Sequence, residues 1–236
     1  MSQYVTFFKE GNVGTREQTR ELVLEAAESL FLTKGLIEVS MEDIATKASC
    51  TRRNLYRYFD TKEALSIAVL RKLLSPWNDF QLQTFQQLRS LSLSGREELI
   101  SFLKTLAKYL ETNKPLLRFT AEFDFVFRER STFQLDASSE ESLFAEFQIT
   151  EKLITQILER GEVDRSLSIP SSKAIIVPTI TTVLWGLGQR VALRETLIPR
   201  EFGVNGMELV QTQIDLLVLA LETKEGPGEK KENLHV

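Results

Sequence analysis

The sequence predicts an all-α protein, with a small N-terminal three-helix unit of helix-turn-helix form joined to a larger C-terminal helical bundle. Three observations carry that expectation. Apolar residues recur with a period of 3.6 along almost every segment. No segment shows sustained strand alternation. The 11 glycines and 6 prolines gather at breaks between periodic runs. A chain of 236 residues is long enough to bury a real core in one or two domains. The expected divisions are an N-terminal extension (1–14), a helix-turn-helix domain (15–74), a larger helical domain (75–224) and a disordered tail (225–236). That tail reads EGPGEKKENLHV, with little to bury.

The first helix is expected over 16–34, where Leu22, Val23, Ala26, Ala27, Leu30 and Phe31 recur at helical spacing and Gly35 closes the run. A short helix over 41–48 follows, with Met41, Ile44, Ala45 and Ala48 on one face. Ser40 is its natural N-cap, and Asp43 three residues on completes a capping-box pair. Ser49-Cys50-Thr51 make a tight turn, and Thr51 can cap a third helix over 52–59. Thr61 caps a fourth, which runs until Pro76. A short or irregular helix is expected over 77–91, and long ones over 96–113, 115–130, 139–160, 171–195 and 204–224. Loops are expected at 164–172 and 199–206.

Composition excludes several kinds of chemistry. One Cys leaves no intramolecular disulfide or multi-thiolate zinc site. One His, His235 beside the C-terminus, argues against nucleophilic triads and His-ligated metals. There is no paired Glu-x-x-His motif and no phosphate-binding glycine loop. The chain is therefore expected to be no enzyme and to need no cofactor. Residues 1–14 lack the basic start and long apolar centre of a targeting signal. The most apolar stretch, 174–188, holds Pro178 and three threonines; at 15 residues it is expected to be too short for a bilayer and buried in protein. A cytoplasmic protein without membrane contact is the expectation.

Charge is uneven. The whole chain carries 29 Lys+Arg against 33 Asp+Glu, net −4, yet residues 45–75 hold seven basic and two acidic side chains, net +5. At about 100° per residue, Leu55 and Phe59 share the inward side of the third helix. Arg53 and Arg57 point away from it, flanked by Asn54 and Tyr56, with Arg52 at the edge. Guanidinium, amide and phenol groups in that array suit phosphates and base edges. The plain alternative is a solvated, salt-bridged helix face.

The stretch AAESLFLTKG…VSMEDIATKASCTRRNLYRYFDTKEAL resembles the N-terminal domain of the TetR (tetracycline-repressor-like) family of transcriptional regulators, over about residues 16–70. Its most specific part, L-Y-x-Y-F-x-x-K-E-x-L, is present as Leu55, Tyr56, Tyr58, Phe59, Lys62, Glu63 and Leu65. The resemblance implies a DNA-binding set of Ser40, Thr51, Arg52, Arg53, Asn54, Tyr56, Arg57, Tyr58 and Lys62. Within it, Thr51 would cap the recognition helix, Arg52 and Arg53 would reach the major groove, and Lys62 would grip phosphate. The chain departs from the pattern at Ser49-Cys50, where the family often has Gly-Val, and at Arg53, where it often has a small residue or Pro. Cys50 then reads as a small buried apolar group, with a redox sensor as the alternative. Because arginine most often reads guanine through O6 and N7, a guanine is expected in each half-site, read by Arg53 or Arg52.

The resemblance also implies a C-terminal half that dimerises and binds a small effector, so that a homodimeric repressor on a near-palindromic double-stranded operator is released by that effector. An activator or a protein-responsive regulator of the same fold is the alternative, followed by an interaction protein that does not bind DNA. The expected dimer face comprises Ile180, Val183, Leu184, Leu187 and Val191 on one helix and Val210, Ile214, Leu217 and Leu221 on another. The expected effector pocket comprises Trp77, Phe102, Phe119, Glu122, Phe123, Phe147 and Trp185, where Glu122 would favour a cationic ligand. A phenylalanine stripe at helical spacing can equally be core, and Glu122 and Asp124 can equally face solvent, with Asp124 pairing to Arg128.

Overall fold

The computed structural model describes residues 13–128 and 137–223, so most of the expected N-terminal extension and the whole 225–236 tail lie outside the described residues. The described chain is all-α. Its eleven described helices are α1 (Val13–Lys34), α2 (Met41–Lys47), α3 (Arg52–Tyr56), α4 (Lys62–Arg89), α5 (Gly95–Thr112), α6 (Lys114–Val126), α7 (Ala137–Phe147), α8 (Ile149–Val163), α9 (Lys173–Leu193), α10 (Ile198–Phe202) and α11 (Gly206–Leu221). Among the described residues the only extended pairing is an isolated antiparallel bridge, Leu167 to Glu222.

The described chain divides into two compact units, one of 1–76 with 114–143, the other of 77–113 with 144–236. The first unit thus takes in α6 as well as α1, α2, α3 and the first part of α4. In this unit Val23, Ala27 and Phe31 of α1 are buried with Ile44 of α2, Leu55 of α3 and Leu65, Val69 and Leu70 of α4. α6 packs its own face into this core. Phe119 stacks on Phe31 at 5.9 Å between ring centres, and Phe123 follows 6.1 Å from Phe119. Leu22, expected inside, is exposed, since it lies at the edge of the buried stripe. Lys72 of α4 braces α1 through Glu21 (2.8 Å) and Glu28 (3.2 Å).

The second unit is built around α5, whose Leu99, Phe102, Leu103 and Leu106 meet α8, α9 and α11. Its N-terminus crosses the end of α8 so closely that a Cβ on Gly95 would stand 2.3 Å from the Gly161 backbone. Glu98 is wholly buried here, with Arg160 Nη1 2.8 Å away. Burial pushes its carboxyl above the usual range while Arg160 pulls it back.

Several helix boundaries differ from expectation for identifiable reasons. α4 runs through Pro76. Proline removes one ladder bond, yet residues on both sides of it, Leu74 and Trp77, are buried and hold the helix. The single helix expected over 139–160 is two, α7 and α8, and the expected 199–206 loop contains the short α10, ended by Gly203 at φ +71°. The apolar 174–188 stretch lies in a 21-residue helix that is long and apolar enough, by length and composition, to cross a membrane. It is also less buried than expected: within the chain only Val177, Ile180, Gly188 and Ala192 of α9 are buried.

Candidate nucleic-acid interface

Local chemistry builds the helix-turn-helix. Ser40 Oγ accepts the Asp43 N–H (3.1 Å), while Asp43 accepts from both the Ser40 N–H (2.8 Å) and its hydroxyl (2.6 Å). These bonds satisfy the first turn of α2 and hold the Asp43 carboxyl below its usual range. In the turn, Cys50 N–H donates to Ala45 O at 3.0 Å and Ser49 takes φ +52°, the left-handed region. That conformation is the physical reason a glycine suits this position. Cys50 is half-buried, and burial pushes its thiol up, away from a reactive thiolate.

Thr51 Oγ1 accepts the Asn54 N–H at 3.1 Å and so caps α3. Regular helix ends at Tyr56, earlier than the expected 59. The chain completes one looser turn, with Tyr58 and Phe59 N–H donating to Leu55 O. Thr61 then caps α4 through the Ala64 N–H at 3.0 Å.

The expected orientations hold. Leu55 and Phe59 are buried, while Arg52, Arg53, Tyr56 and Arg57 are exposed and Asn54 and Tyr58 half-buried. Arg52 stands over the Tyr56 ring, 5.6 Å from its centre. Arg20 of α1 lies 5.1 Å from the Phe59 ring centre. The +5 patch is less open than its sum, because Lys72 is committed to Glu21 and Glu28. Lys47, Arg52, Arg53 and Arg57 remain as exposed cations.

Lys62 has a more crowded setting than a simple phosphate grip. Its ammonium lies 3.5 Å from the Ile37 carbonyl oxygen. Burial lowers its proton affinity, while Glu122 first, then Asp43, draw it back up. Glu122 Oε2 accepts the Ile37 N–H at 3.2 Å. Sequence reasoning placed Glu122 in an effector pocket. In the structure it closes the turn between α1 and α2.

The other expected pocket residues fall in both units. Phe119 and Phe123 are buried in the first, packing α6 against α1. In the second, Trp77 approaches Trp185 (6.0 Å) and Tyr109 (5.5 Å), Phe80 stacks on Tyr109 (4.3 Å), and Phe102 meets Phe85 edge-on. Phe147 is exposed. Sequence reasoning missed Tyr109 and Phe80 here. It also missed the buried Gln81, which donates to Asn78 Oδ1 (3.1 Å) and accepts from Thr150. A polar residue in a helix gives no hint of burial unless its neighbours in space are known.

The expected dimer residues also separate. Ile180, Val210, Ile214 and Leu221 are buried in the chain's own core and offer no surface to a partner. Val183 is exposed, and Leu184, Leu187, Val191 and Leu217 are half-buried.

Comparison with known proteins agrees with the helix-turn-helix geometry. Residues 23–69 match the family model described as bacterial regulatory proteins, tetR family. An uncharacterised HTH-type transcriptional regulator of Mycobacterium tuberculosis is 41% identical over 56 residues, 24% of this chain and 28% of that protein. The HTH-type transcriptional activator FasR of Mycolicibacterium smegmatis is 24% identical over 141 residues, 60% of this chain and 63% of FasR. The chain thus spans less than two thirds of either relative. The crystal structure of FadR from Thermus thermophilus, a TetR family repressor in complex with lauroyl-CoA, superposes with a TM-score of 0.58 at 21% identity, covering 89% of this chain and 98% of FadR. That likeness shows the shared fold.

Proposed function

We propose, from the chain's membership of the tetR family of bacterial regulatory proteins, that it is a cytoplasmic, homodimeric transcriptional repressor of a near-palindromic operator, released by a small-molecule effector. The observation that carries the reading is the exposed array of Arg52, Arg53, Tyr56 and Arg57 on a helix capped by Thr51 and seated on buried Leu55 and Phe59. Such a face combines phosphate neutralisation with base-edge donors. No step of this mechanism needs a bond to be made or broken, so no enzyme chemistry is proposed.

We assign the dimer to exposed apolar residues of α9 and α11, of which only Val183 belongs to the expected face. On α9, Ile175, Val183 and Gly186 are exposed, and a Cβ on Gly186 would meet nothing within 4 Å. On α11, Leu216 and Leu219 are exposed. Spacings of eight and three residues on α9 and of three on α11 put each set on one helix side, where a two-fold axis would bury them. Two copies would set the recognition helices about one DNA turn apart.

For the effector, the Trp77, Tyr109 and Trp185 rings suit a largely apolar ligand, and Glu122, which accepts the Ile37 N–H, is not part of that cluster. FasR is an activator and FadR a repressor, and for this chain the sign proposed is repression. Mobility shift on DNA upstream of the chain's own gene tests the reading. Salt-dependent, sequence-specific binding supports it, and no specific binding at low salt in any effector state overturns it.

A further inference from the structure

We propose that the Glu122 carboxylate restrains the Lys62 ammonium, making Glu122 a positioning residue that limits how strongly this chain grips a DNA phosphate. The inference rests on the DNA-binding reading for its consequence and on geometry for its premise. α6 carries Glu122 into the turn between α1 and α2, where Oε2 accepts the Ile37 N–H at 3.2 Å. The fit is tight. Gly35 takes φ +90°, and a Cβ there would stand 2.8 Å from Glu122 Oε1. Lys62, at the first turn of α4, reaches back to the same residue, its Nζ 3.5 Å from the Ile37 carbonyl. One residue of backbone therefore holds the carboxylate by its N–H and the ammonium by its C=O. Asp43 is the other carboxylate acting on that ammonium, but the Ser40 capping box already holds it.

A half-buried ammonium is poorly screened, so a neighbouring carboxylate competes directly with an incoming phosphate for it. Phosphate must draw Lys62 away from Glu122, and part of the gain of contact is lost in the exchange. Removing the negative charge while keeping the side chain's shape frees the lysine for DNA.

Glu122→Gln does this, because its amide oxygen still accepts the Ile37 N–H beside Gly35. The variant is expected to bind operator several-fold tighter at fixed salt, with the slope of log K against log salt steeper by about 0.9, as one more phosphate is neutralised. Lys62→Met should weaken binding, and in that background Glu122→Gln should change nothing. Glu122→Ala, which also loses the Ile37 acceptor, reports the purely structural share through its melting temperature. A DNA-independent readout is the NMR titration of the Lys62 ε-carbon, whose apparent pKa should fall in Glu122→Gln. Equal or weaker binding with an unchanged slope overturns the proposal, as does equal tightening in the Lys62→Met background. An unmoved Lys62 titration overturns it whatever the DNA result. Failure of the wild-type chain to bind any specific DNA is a separate outcome, which sinks the regulator reading while the Lys62 titration still decides the restraint.

Discussion

The Arg52 guanidinium is stacked over the ring of Tyr56, one helical turn further on, while the adjacent Arg53 stands exposed. The stacked arginine has already given up side-chain freedom, whereas Arg53 can search for a base edge. Arg53→Ala is therefore expected to cost about 1–3 kcal/mol on the cognate operator and to relax one base position. Binding selection on random DNA measures both. A motif identical to that of the wild type would transfer the guanine contact to Arg52.

Ser40 and Asp43 hold each other at the start of α2, and the Ser40 hydroxyl and N–H depress the Asp43 carboxyl. A group with a lowered folded pKa adds stability above its unfolded pKa, and that stability is lost as pH falls through the folded value. Ser40→Ala should lower the denaturant midpoint at neutral pH and flatten the acid side of the stability profile. Urea titrations between neutral pH and the acid limit would show the two curves converging as Asp43 protonates.

Ser49 occupies left-handed backbone at φ +52°. An L residue there costs roughly 1 kcal/mol relative to glycine. Ser49→Gly should stabilise the first unit by about that amount, less the entropy that glycine adds to the unfolded chain. Ser49→Val should destabilise it. Thermal melts of the three proteins would rank Gly, Ser, Val.

The exposed stripe of α9 and α11 predicts the oligomeric state. Val183→Glu with Leu216→Glu should convert a dimer of 27.0 kDa chains into monomers, with each unit's helix content retained. Sedimentation velocity and far-UV circular dichroism together test this. A double variant that remains dimeric would move the interface elsewhere.

What the sequence revealed follows the range of the interactions involved. Caps at Ser40, Thr51 and Thr61 and the glycine stop at Gly35 act within four residues, and each was readable from residue type and spacing. The outward face of α3 was readable for the same reason, since one turn of helix fixes it. Pro76 misled because its effect depends on what anchors the helix on each side, Leu74 before it and Trp77 after it. On α9 and α11 apolar residues run around most of the helix circumference, so periodicity could not tell Ile180 and Ile214, which are core, from Val183 and Leu216, which are surface. Glu122 was misplaced because its partner, Ile37, lies 85 residues away in the chain.

α6 belongs to the unit that carries α3, although 37 residues of the other unit intervene between Pro76 and Lys114. A fragment ending at Pro76 would lose the ring that stacks on Phe31 and the acceptor of the Ile37 N–H. The part of this protein proposed to read DNA is consequently not a cassette that can be cut from one end of the gene. A hybrid regulator that borrows its operator preference would have to graft α6 along with the first 76 residues. A sensor domain transplanted at that position would bring its own α6, and the fit of that foreign helix against Gly35 and Phe31 would decide whether the hybrid folds.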